Sequence, residues 1–396
     1  MEEIMENFTF YAPTYFDFGK GAEQHVGELV RRFGGNKVLF HYGGGSIKRS
    51  GLYDTVKKCL EAEGIAYVEL GGVKPNPRSG LVYEGIELCR REGVDFILAV
   101  GGGSVIDSSK AIAAGCCYDG DFWDFYSGKA KIQQALPVGT ILTIAAAGSE
   151  GSTNTVITNE ETGYKKGAGS DVLRPKFSIL NPEFTCSLPP YQTAAGATDI
   201  MIHICERYFS NTEEVEITDR LCEAVLKTMI HEAPRVIEDP QNYDARANIM
   251  WAGMLAHNNV CGVGRVQDWA SHHIEHELSA LYDVTHGAGL AVIAPAWMRY
   301  VLKTNPHKLV QFAERVWDIE PQENDEKTAL KGIEAFERFL KNIGMPLTFA
   351  EIGADEKDAE LMTSKLLSTK DTEGNYVKLR AEDVMKIYHY AATGEM

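Results

Sequence analysis

The stretch Phe96-Ile97-Leu98-Ala99-Val100-Gly101-Gly102-Gly103-Ser104-Val105 indicates the fold most clearly. Five consecutive apolar residues suit a buried strand, the glycines suit a tight turn, and residues 105–114 have the pattern of a helix. The same alternation occurs earlier, with strands predicted at Lys37–Tyr42 and Ala66–Leu70 and helices at residues 51–63 and 81–91. Such alternation predicts a parallel sheet with helices on its faces.

The pattern changes near Pro189. Before it, further strands are predicted at residues 141–144, 155–158 and 177–180; after it, helices are predicted at residues 192–208, 217–230, 245–258, 269–281, 309–316 and 328–340, and a loop at residues 368–376. We therefore expect an α/β fold with two domains: a Rossmann-like, dinucleotide-binding parallel-sheet domain over residues 1–189 and an all-helical, metal-binding domain over residues 190–396.

Composition excludes several classes of protein. The 396 residues include 39 basic and 56 acidic residues, a net charge of −17, which disfavours nucleic acid and anionic membranes as partners. No apolar run reaches the roughly 18 residues that a membrane span needs. The eight cysteines form no C-x-x-C pair, and the first six residues are acidic rather than basic. These features predict a reduced, cytoplasmic protein.

Histidines and one aspartate form the clearest chemical pattern. Asp199 and His203 are four residues apart, which places them on one helical face and suits a divalent metal such as zinc or iron. Downstream the sequence continues with His272, His273, His276 and His286, so five of the eleven histidines fall within these motifs. A solvated, histidine-rich helix face is the alternative that the pattern leaves open.

Two glycine turns predict phosphate contacts. Gly101, Gly102, Gly103 and Ser104 follow an apolar strand and open a helix, where free backbone N–H groups stabilise negative charge. The second turn, Gly43-Gly44-Gly45-Ser46, follows the first predicted strand in the same way. A dinucleotide could lie across both turns at the carboxyl ends of the strands. Tight turns without a ligand are the alternative.

Other catalytic motifs are incomplete. His231-Glu232 and His276-Glu277 each begin an H-E-x-x-H motif, but neither has its second histidine. The sequence also contains neither a G-x-S-x-G elbow nor a Walker A motif.

Four segments in order, residues 101–111, 196–203, 272–282 and 286–290, resemble the iron-containing (group III) alcohol dehydrogenase family. The resemblance covers essentially the whole chain and is strongest to the NAD(P)H-dependent butanol dehydrogenase branch. It implies a dehydroquinate synthase-like superfold and one divalent metal, iron or zinc, bound by Asp199, His203, His272 and His286. It also implies that His276 acts in catalysis without binding the metal, while His273 lies off the face that His272 and His276 share.

The resemblance also assigns the cofactor contacts. The triple glycine matches the pyrophosphate loop, and Thr143 and Lys165 match contacts on the adenosine and ribose side. The family segment close to T-x-x-G-T-G-S-E corresponds to residues 143–150, where Ala147 lacks the usual hydroxyl. NAD-preferring relatives carry an aspartate after the first strand, where this chain has Gly44, Gly45 and Ser46. We therefore expect NADPH to be preferred and NADH to be tolerated.

The resulting expectation is a metal-dependent enzyme that interconverts primary, butanol-like alcohols and aldehydes, with its metal in the cleft between the domains. A single carboxylate ligand would leave the metal site with net positive charge. A polyol or glycerol dehydrogenase, or a dehydroquinate synthase-like lyase, is the alternative within the superfold. A metal phosphohydrolase and a non-enzymatic metal-binding protein are less favoured. The expected partner is a small aldehyde or alcohol, and a homodimer is a family expectation.

Overall fold

The computed structural model describes residues 4–395, so Met1–Glu3 of the acidic N-terminal stretch and Met396 lie outside the described residues. The described chain groups into two compact units. The α/β unit comprises residues 11–188 and 241–258. The helical unit comprises residues 4–10, 189–240 and 259–395. Residues 241–258 thus follow the predicted boundary in sequence but group with the α/β unit.

The strands all belong to the α/β unit. They are β1 (Tyr15–Phe18), β2 (Lys37–Tyr42), β3 (Ala66–Leu70), β4 (Phe96–Gly101), β5 (Val138–Leu142), β6 (Asn154–Thr158), β7 (Lys165–Gly169) and β8 (Phe177–Leu180). Six of them form one parallel sheet in the order β1-β8-β5-β4-β2-β3, and β6 pairs antiparallel with β7. Strand β5 begins three residues earlier than predicted, because Val138 pairs with Ile97 and the chain leaves the sheet after Leu142.

The helices run through both units. They are α1 (Val26–Arg32), α2 (Ser46–Arg49), α3 (Leu52–Ala62), α4 (Ser79–Glu92), α5 (Gly103–Cys116), α6 (Trp123–Tyr126), α7 (Pro190–Tyr208), α8 (Glu216–Glu238), α9 (Tyr243–His257), α10 (Ala270–Tyr282), α11 (His286–Leu302), α12 (His307–Val316), α13 (Asp325–Asn342), α14 (Phe349–Ile352), α15 (Ala359–Leu366) and α16 (Ala381–Thr393). Short 3-10 turns occur at Ala22–His25, Ser149–Gly151, Asp171–Leu173, Pro182–Thr185, Val260–Gly262 and Glu356–Asp358. The predicted fold class, a parallel α/β sheet followed by a helical part, is confirmed.

Alternation along the strands fills two separate cores. In β2, Val38 and Phe40 pack in one apolar cluster with residues of α1 and α3, whereas Leu39 packs in a second cluster with residues of α4 and α5. Successive side chains of a strand point to opposite faces, so both faces of the sheet are buried by helices. Because the six strands are parallel, their carboxyl ends lie along one edge.

In the helical unit, α7 is buried along almost its whole length from Thr193 onward. Helix α11 packs against both α7 and α10, and it is apolar apart from its ends. This packing brings the middle of α7, the first turns of α10 and the start of α11 together. No helix within residues 4–395 combines the length and the apolarity that a membrane span requires.

Candidate functional site

Helix α7 supplies the first two predicted metal ligands. Asp199 and His203 are both buried, and His203 Nε2 lies 3.4 Å from Asp199 Oδ1. The spacing of four residues, about one helical turn, is what allows this approach. The structure therefore places the pair on one face of α7, as the sequence predicted.

Two more histidines reach the same oxygen from other helices. His272, in the first turn of α10, and His286, the first residue of α11, each place Nε2 3.8 Å from Asp199 Oδ1. Ligand atoms of Asp199, His272 and His286 all lie within 4.8 Å of one another. Bonds of roughly 2.0–2.1 Å to a tetrahedral metal hold ligand atoms roughly 3.4 Å apart. The cluster has the dimensions of a metal site that is slightly open.

The lack of hydrogen-bond partners at two buried atoms of this cluster also fits a metal site. Asp199 Oδ1 and His272 Nε2 are buried within the described structure without a hydrogen-bond partner. Such atoms are rare because an unsatisfied buried polar group is costly, and a bound cation would satisfy both. Burial lowers the pKa of His272, but the carboxylates of Asp199 and Glu206 outweigh it and raise the pKa to about 9. The site thus favours positive charge.

Glu206 is a buried participant that sequence reasoning missed. It lies on α7 and accepts hydrogen bonds from the backbone N–H of Trp269 at 2.7 Å and from the backbone N–H of His272 at 2.9 Å. Its Oε1 also lies 2.9 Å from His272 Nδ1. Trp269, directly before α10, has a left-handed backbone with φ of 71°, a strained conformation for a residue other than glycine. The hydrogen bond to Glu206 stabilises that conformation at the start of α10. A spacing of seven from Asp199 was the available sequence signal.

Glu275 has a matching role at His286. Its side chain is fully buried on α10, hydrogen-bonds His286 Nδ1 and accepts from the Ser279 hydroxyl. Together with Asp199 and Glu206, it brings the number of buried carboxyl groups in the cluster to three. The sequence interpretation named one carboxylate, Asp199, as a ligand; Glu206 and Glu275 are further carboxylates that contact the Nδ1 atoms of two candidate ligands.

His276 and His273 differ in their surroundings. His276 is half-buried on α10, and its ring centroid lies 5.6 Å from that of His286. His273 Nδ1 instead lies 2.9 Å from the carboxylate of Glu373, and its side chain is 43% exposed. The structure therefore brings His276 next to a candidate ligand and directs His273 toward the loop that contains Glu373.

The α/β unit brings the predicted cofactor residues to one sheet edge. Gly44, Gly45 and Ser46 follow β2, and Gly102, Gly103 and Ser104 follow Gly101, the last residue of β4. A Cβ atom on Gly101 would lie 2.5 Å from the Val105 side chain, whereas one on Gly103 or Gly44 would meet nothing within 4 Å. The first glycine allows close packing, and the others leave open space above the strands.

Thr143 and Lys165 lie beside these turns. Thr143 directly follows β5, and its backbone N–H donates to Gly101 O at 3.0 Å. Lys165 opens β7, is buried, and donates to the Asn76 side chain at 3.0 Å in the connection between β3 and α4. Both predicted residues thus approach connections at the carboxyl edge of the sheet.

A buried lysine fixes the segment that follows β5. Lys110, on α5, is fully buried and donates to the carbonyl oxygens of Ser149, Ser152 and Asn154 at 2.6–3.0 Å. Burial lowers the pKa of this ammonium to about 8. Asp107, one turn earlier, accepts from the Ser149 hydroxyl at 2.6 Å. This network ties the helix after the triple glycine to the segment that contains Thr143.

Comparison with known proteins decides the family. The family model described as "Iron-containing alcohol dehydrogenase" matches residues 13–182. A second family model, described as "Fe-containing alcohol dehydrogenase family, C-terminal", matches residues 193–392. The chain belongs to the iron-containing alcohol dehydrogenase family. This confirms the predicted family and its butanol dehydrogenase branch. The chain is therefore an alcohol dehydrogenase, and membership implies a nicotinamide cofactor and an iron-type metal.

Individual members of the family are similar over nearly their whole length. The chain is 47% identical over 388 residues to the "Probable NADH-dependent butanol dehydrogenase 2" of Bacillus subtilis, covering 97% of this chain and 99% of that one. It is 38% identical over 365 residues to the "NADPH-dependent aldehyde reductase YqhD" of Escherichia coli, covering 91% and 93%. The crystal structure of NADH-dependent butanol dehydrogenase A from Thermotoga maritima matches with a TM-score of 0.96 and 44% identity, covering 99% and 100%.

Proposed function

We propose that this chain is a metal-dependent oxidoreductase that interconverts small primary, butanol-like alcohols and their aldehydes with NAD(P)H. The observation that carries the proposal is the approach of three imidazole Nε2 atoms to Asp199 Oδ1, at 3.4, 3.8 and 3.8 Å. The names of the relatives, butanol dehydrogenase and aldehyde reductase, support the choice of substrate.

The proposed ligands are Asp199, His203, His272 and His286. A set of one carboxylate and three imidazoles suits both zinc and ferrous iron, so the family name favours iron without the ligand types requiring it. When bound, a divalent ion supplies Lewis acidity toward a carbonyl oxygen, and reduced nicotinamide supplies a hydride. The residues themselves hold that ion and orient its ligands.

His276 is the proposed proton donor to the alcohol product. It lies next to His286, and its candidate ligand atom groups within 4.8 Å with those of Glu275 and His286 rather than with that of Asp199. A half-buried imidazole can exchange protons with solvent and still reach a substrate oxygen, either directly or through one water. In the direction of alcohol oxidation, the same group accepts the proton.

Gly101, Gly102, Gly103 and Ser104 are the proposed pyrophosphate contacts, because α5 begins there and its first N–H groups have no side-chain cap. Thr143 and Lys165 are proposed to contact the adenosine and ribose side.

NADPH is the proposed preferred cofactor, with NADH tolerated. Gly44, Gly45 and Ser46 are exposed and carry no anion that would repel a 2′-phosphate. A cation that sequence reasoning missed lies beside them: the Arg49 guanidinium is 3.1 Å from the position of a Cβ on Gly45. The Lys48 ammonium lies over the ring of Tyr53, 4.8 Å from its centroid. The relatives' names include both NADH and NADPH, so they do not decide the question.

A cytoplasmic homodimer is the proposed assembly. No disulfide joins the eight cysteines within residues 4–395, which supports a reducing compartment. Strand β1 is at the edge of the sheet, and Tyr15 and Phe18 on it are 41% and 39% exposed. Exposed edge strands with apolar side chains favour pairing with another copy. Sedimentation of the purified protein tests this, and a monomer at micromolar concentration would contradict it.

The proposed activity is tested by elemental analysis of purified protein combined with an aldehyde panel under NADH and NADPH. We expect one iron or zinc per chain, reduction of butanal and similar aldehydes, and loss of activity on chelation that added metal restores. Glyceraldehyde and dehydroquinate precursors serve as controls for the alternative chemistries. Turnover of those substrates in preference to simple aldehydes would contradict the proposal.

A further inference from the structure

Two buried glutamates contact the Nδ1 atoms of two candidate histidine ligands, on the side of each ring opposite Nε2. Glu206 Oε1 lies 2.9 Å from His272 Nδ1, and Glu275 forms a hydrogen bond with His286 Nδ1. In both histidines the opposite ring nitrogen, Nε2, lies 3.8 Å from Asp199 Oδ1. The same relationship thus occurs twice, from different helices.

We propose that Glu206 and Glu275 are positioning residues that fix the tautomer and ring orientation of His272 and His286 for metal binding. This inference rests on the proposed metal site. A carboxylate can only accept from the imidazole, so it keeps the ring proton on Nδ1 and leaves the Nε2 lone pair for the metal. Carboxylate partners also raise the basicity of a histidine ligand.

Glu206 does more than orient one ring. The same carboxylate accepts the N–H groups of Trp269 and His272, so it fixes the backbone from which the His272 side chain extends. Both of its oxygens are occupied by N–H donors. Replacement by glutamine would therefore place an amide N–H₂ against a donor, and part of its effect would come from the distorted start of α10.

Glu275 allows a cleaner test. Its second oxygen accepts from the Ser279 hydroxyl, which can rotate and accept instead of donating. Glu275→Gln can therefore keep its size and its contact with Ser279 while losing the charged acceptor at His286. Glu373→Gln is a matched control, because Glu373 is a buried carboxylate 2.9 Å from Nδ1 of His273, which lies outside the proposed ligand set.

The experiment measures Co²⁺ and Zn²⁺ affinity of the full chain by competition with a chromophoric chelator, together with the visible spectrum of the Co²⁺ form. We expect Glu275→Gln and Glu206→Gln each to weaken metal binding by about 10–100-fold and to change the Co²⁺ bands. Glu373→Gln should keep the affinity and spectrum of the wild type. A role only in folding would lower stability without changing the Co²⁺ spectrum of the folded protein.

Wild-type affinity and an unchanged spectrum in Glu275→Gln would overturn the assignment for that residue, and the same result in Glu206→Gln would overturn it for the other. If Glu206→Gln does not fold, Glu275→Gln and Ser279→Ala still decide, and Ser279→Ala should give the smaller loss of affinity. A wild-type protein that binds neither metal would contradict the proposed function itself, which separates the two failures.

Discussion

Asp199 Oδ1 and His203 Nε2 lie 3.4 Å apart on one face of α7, in a part of the helix that is buried on every side. A buried carboxylate and imidazole at this separation are slightly too far apart for a good hydrogen bond and well spaced for two ligands of one ion. Their spacing is set by the helix alone. The approach of His272 and His286 depends on how α10 and α11 pack against α7.

Substitution of Gly44 tests the choice of cofactor. A Cβ at this position would meet nothing within 4 Å, so Gly44→Asp should fold normally while adding a carboxylate beside the proposed 2′-phosphate position. Like charges would meet at close range, so preference should move toward NADH. The measurement is kcat/KM for butanal with NADPH and with NADH in both proteins.

Gly44→Asn is the control for size, since it has nearly the same shape without the charge and should shift the preference less. If the wild type itself prefers NADH by about tenfold or more, roughly 1.4 kcal/mol, the missing carboxylate is not the deciding feature.

His276→Ala tests the proton-transfer role. The variant should retain its metal, because His276 lies outside the proposed ligand set, but kcat should fall by about 10²-fold or more. Metal content and single-turnover rate are measured on the same preparation. His273→Ala is the neighbouring control and should turn over at close to the wild-type rate. An unchanged kcat in His276→Ala would refute the role.

His41 makes the stability of the α/β unit depend on pH. It is fully buried on β2, and its ring nitrogens lie 2.7 Å from Leu70 O and 2.9 Å from the Ser108 hydroxyl. Burial lowers its pKa to about 4, against the opposing effect of the Leu70 hydrogen bond. As pH falls from about 6.5 to about 4, the unfolded chain gains the proton before the folded one, so stability is lost over that window.

Between pH 7 and pH 5, this histidine should account for about 2 kcal/mol of lost unfolding free energy. His41→Gln keeps one donor and one acceptor but does not titrate, so its stability should fall less over the same range. His307→Gln replaces an exposed histidine and should follow the wild type. Urea unfolding at both pH values provides the comparison, and parallel losses in all three proteins would contradict the role of His41.

Local patterns were sufficient for much of the fold. The predicted bounds of β2, β3 and β8 match the structure, because each is a short, mainly apolar segment followed by glycine or asparagine. Helix α11 was not predicted, since its apolar run is continuous and shows no helical period of polar residues. β7, with two glycines among residues 165–169, likewise carries no strand pattern.

At the site, the candidate metal ligands were easier to predict from the sequence than the carboxylates that hydrogen-bond to them. The spacing of Asp199 and His203 within one helix is enough to predict that pair. Glu206 and Glu275, in contrast, act through contacts between helices. Glu275 lies three residues after His272 yet supports His286, eleven residues further on. No spacing rule within one helix predicts such a contact, because it depends on the angle at which α11 begins beside α10.

The most direct test of the central claim is the metal content of His272→Ala beside that of His273→Ala. The two adjacent histidines differ in that only His272 places Nε2 3.8 Å from Asp199 Oδ1, while His273 faces Glu373. Removal of a ligand should weaken metal binding by more than the roughly 10–100-fold expected when a hydrogen-bond partner of a ligand is removed. We predict that His272→Ala loses both its iron or zinc and its aldehyde reduction, while His273→Ala retains both. Full metal content in folded His272→Ala would contradict the account.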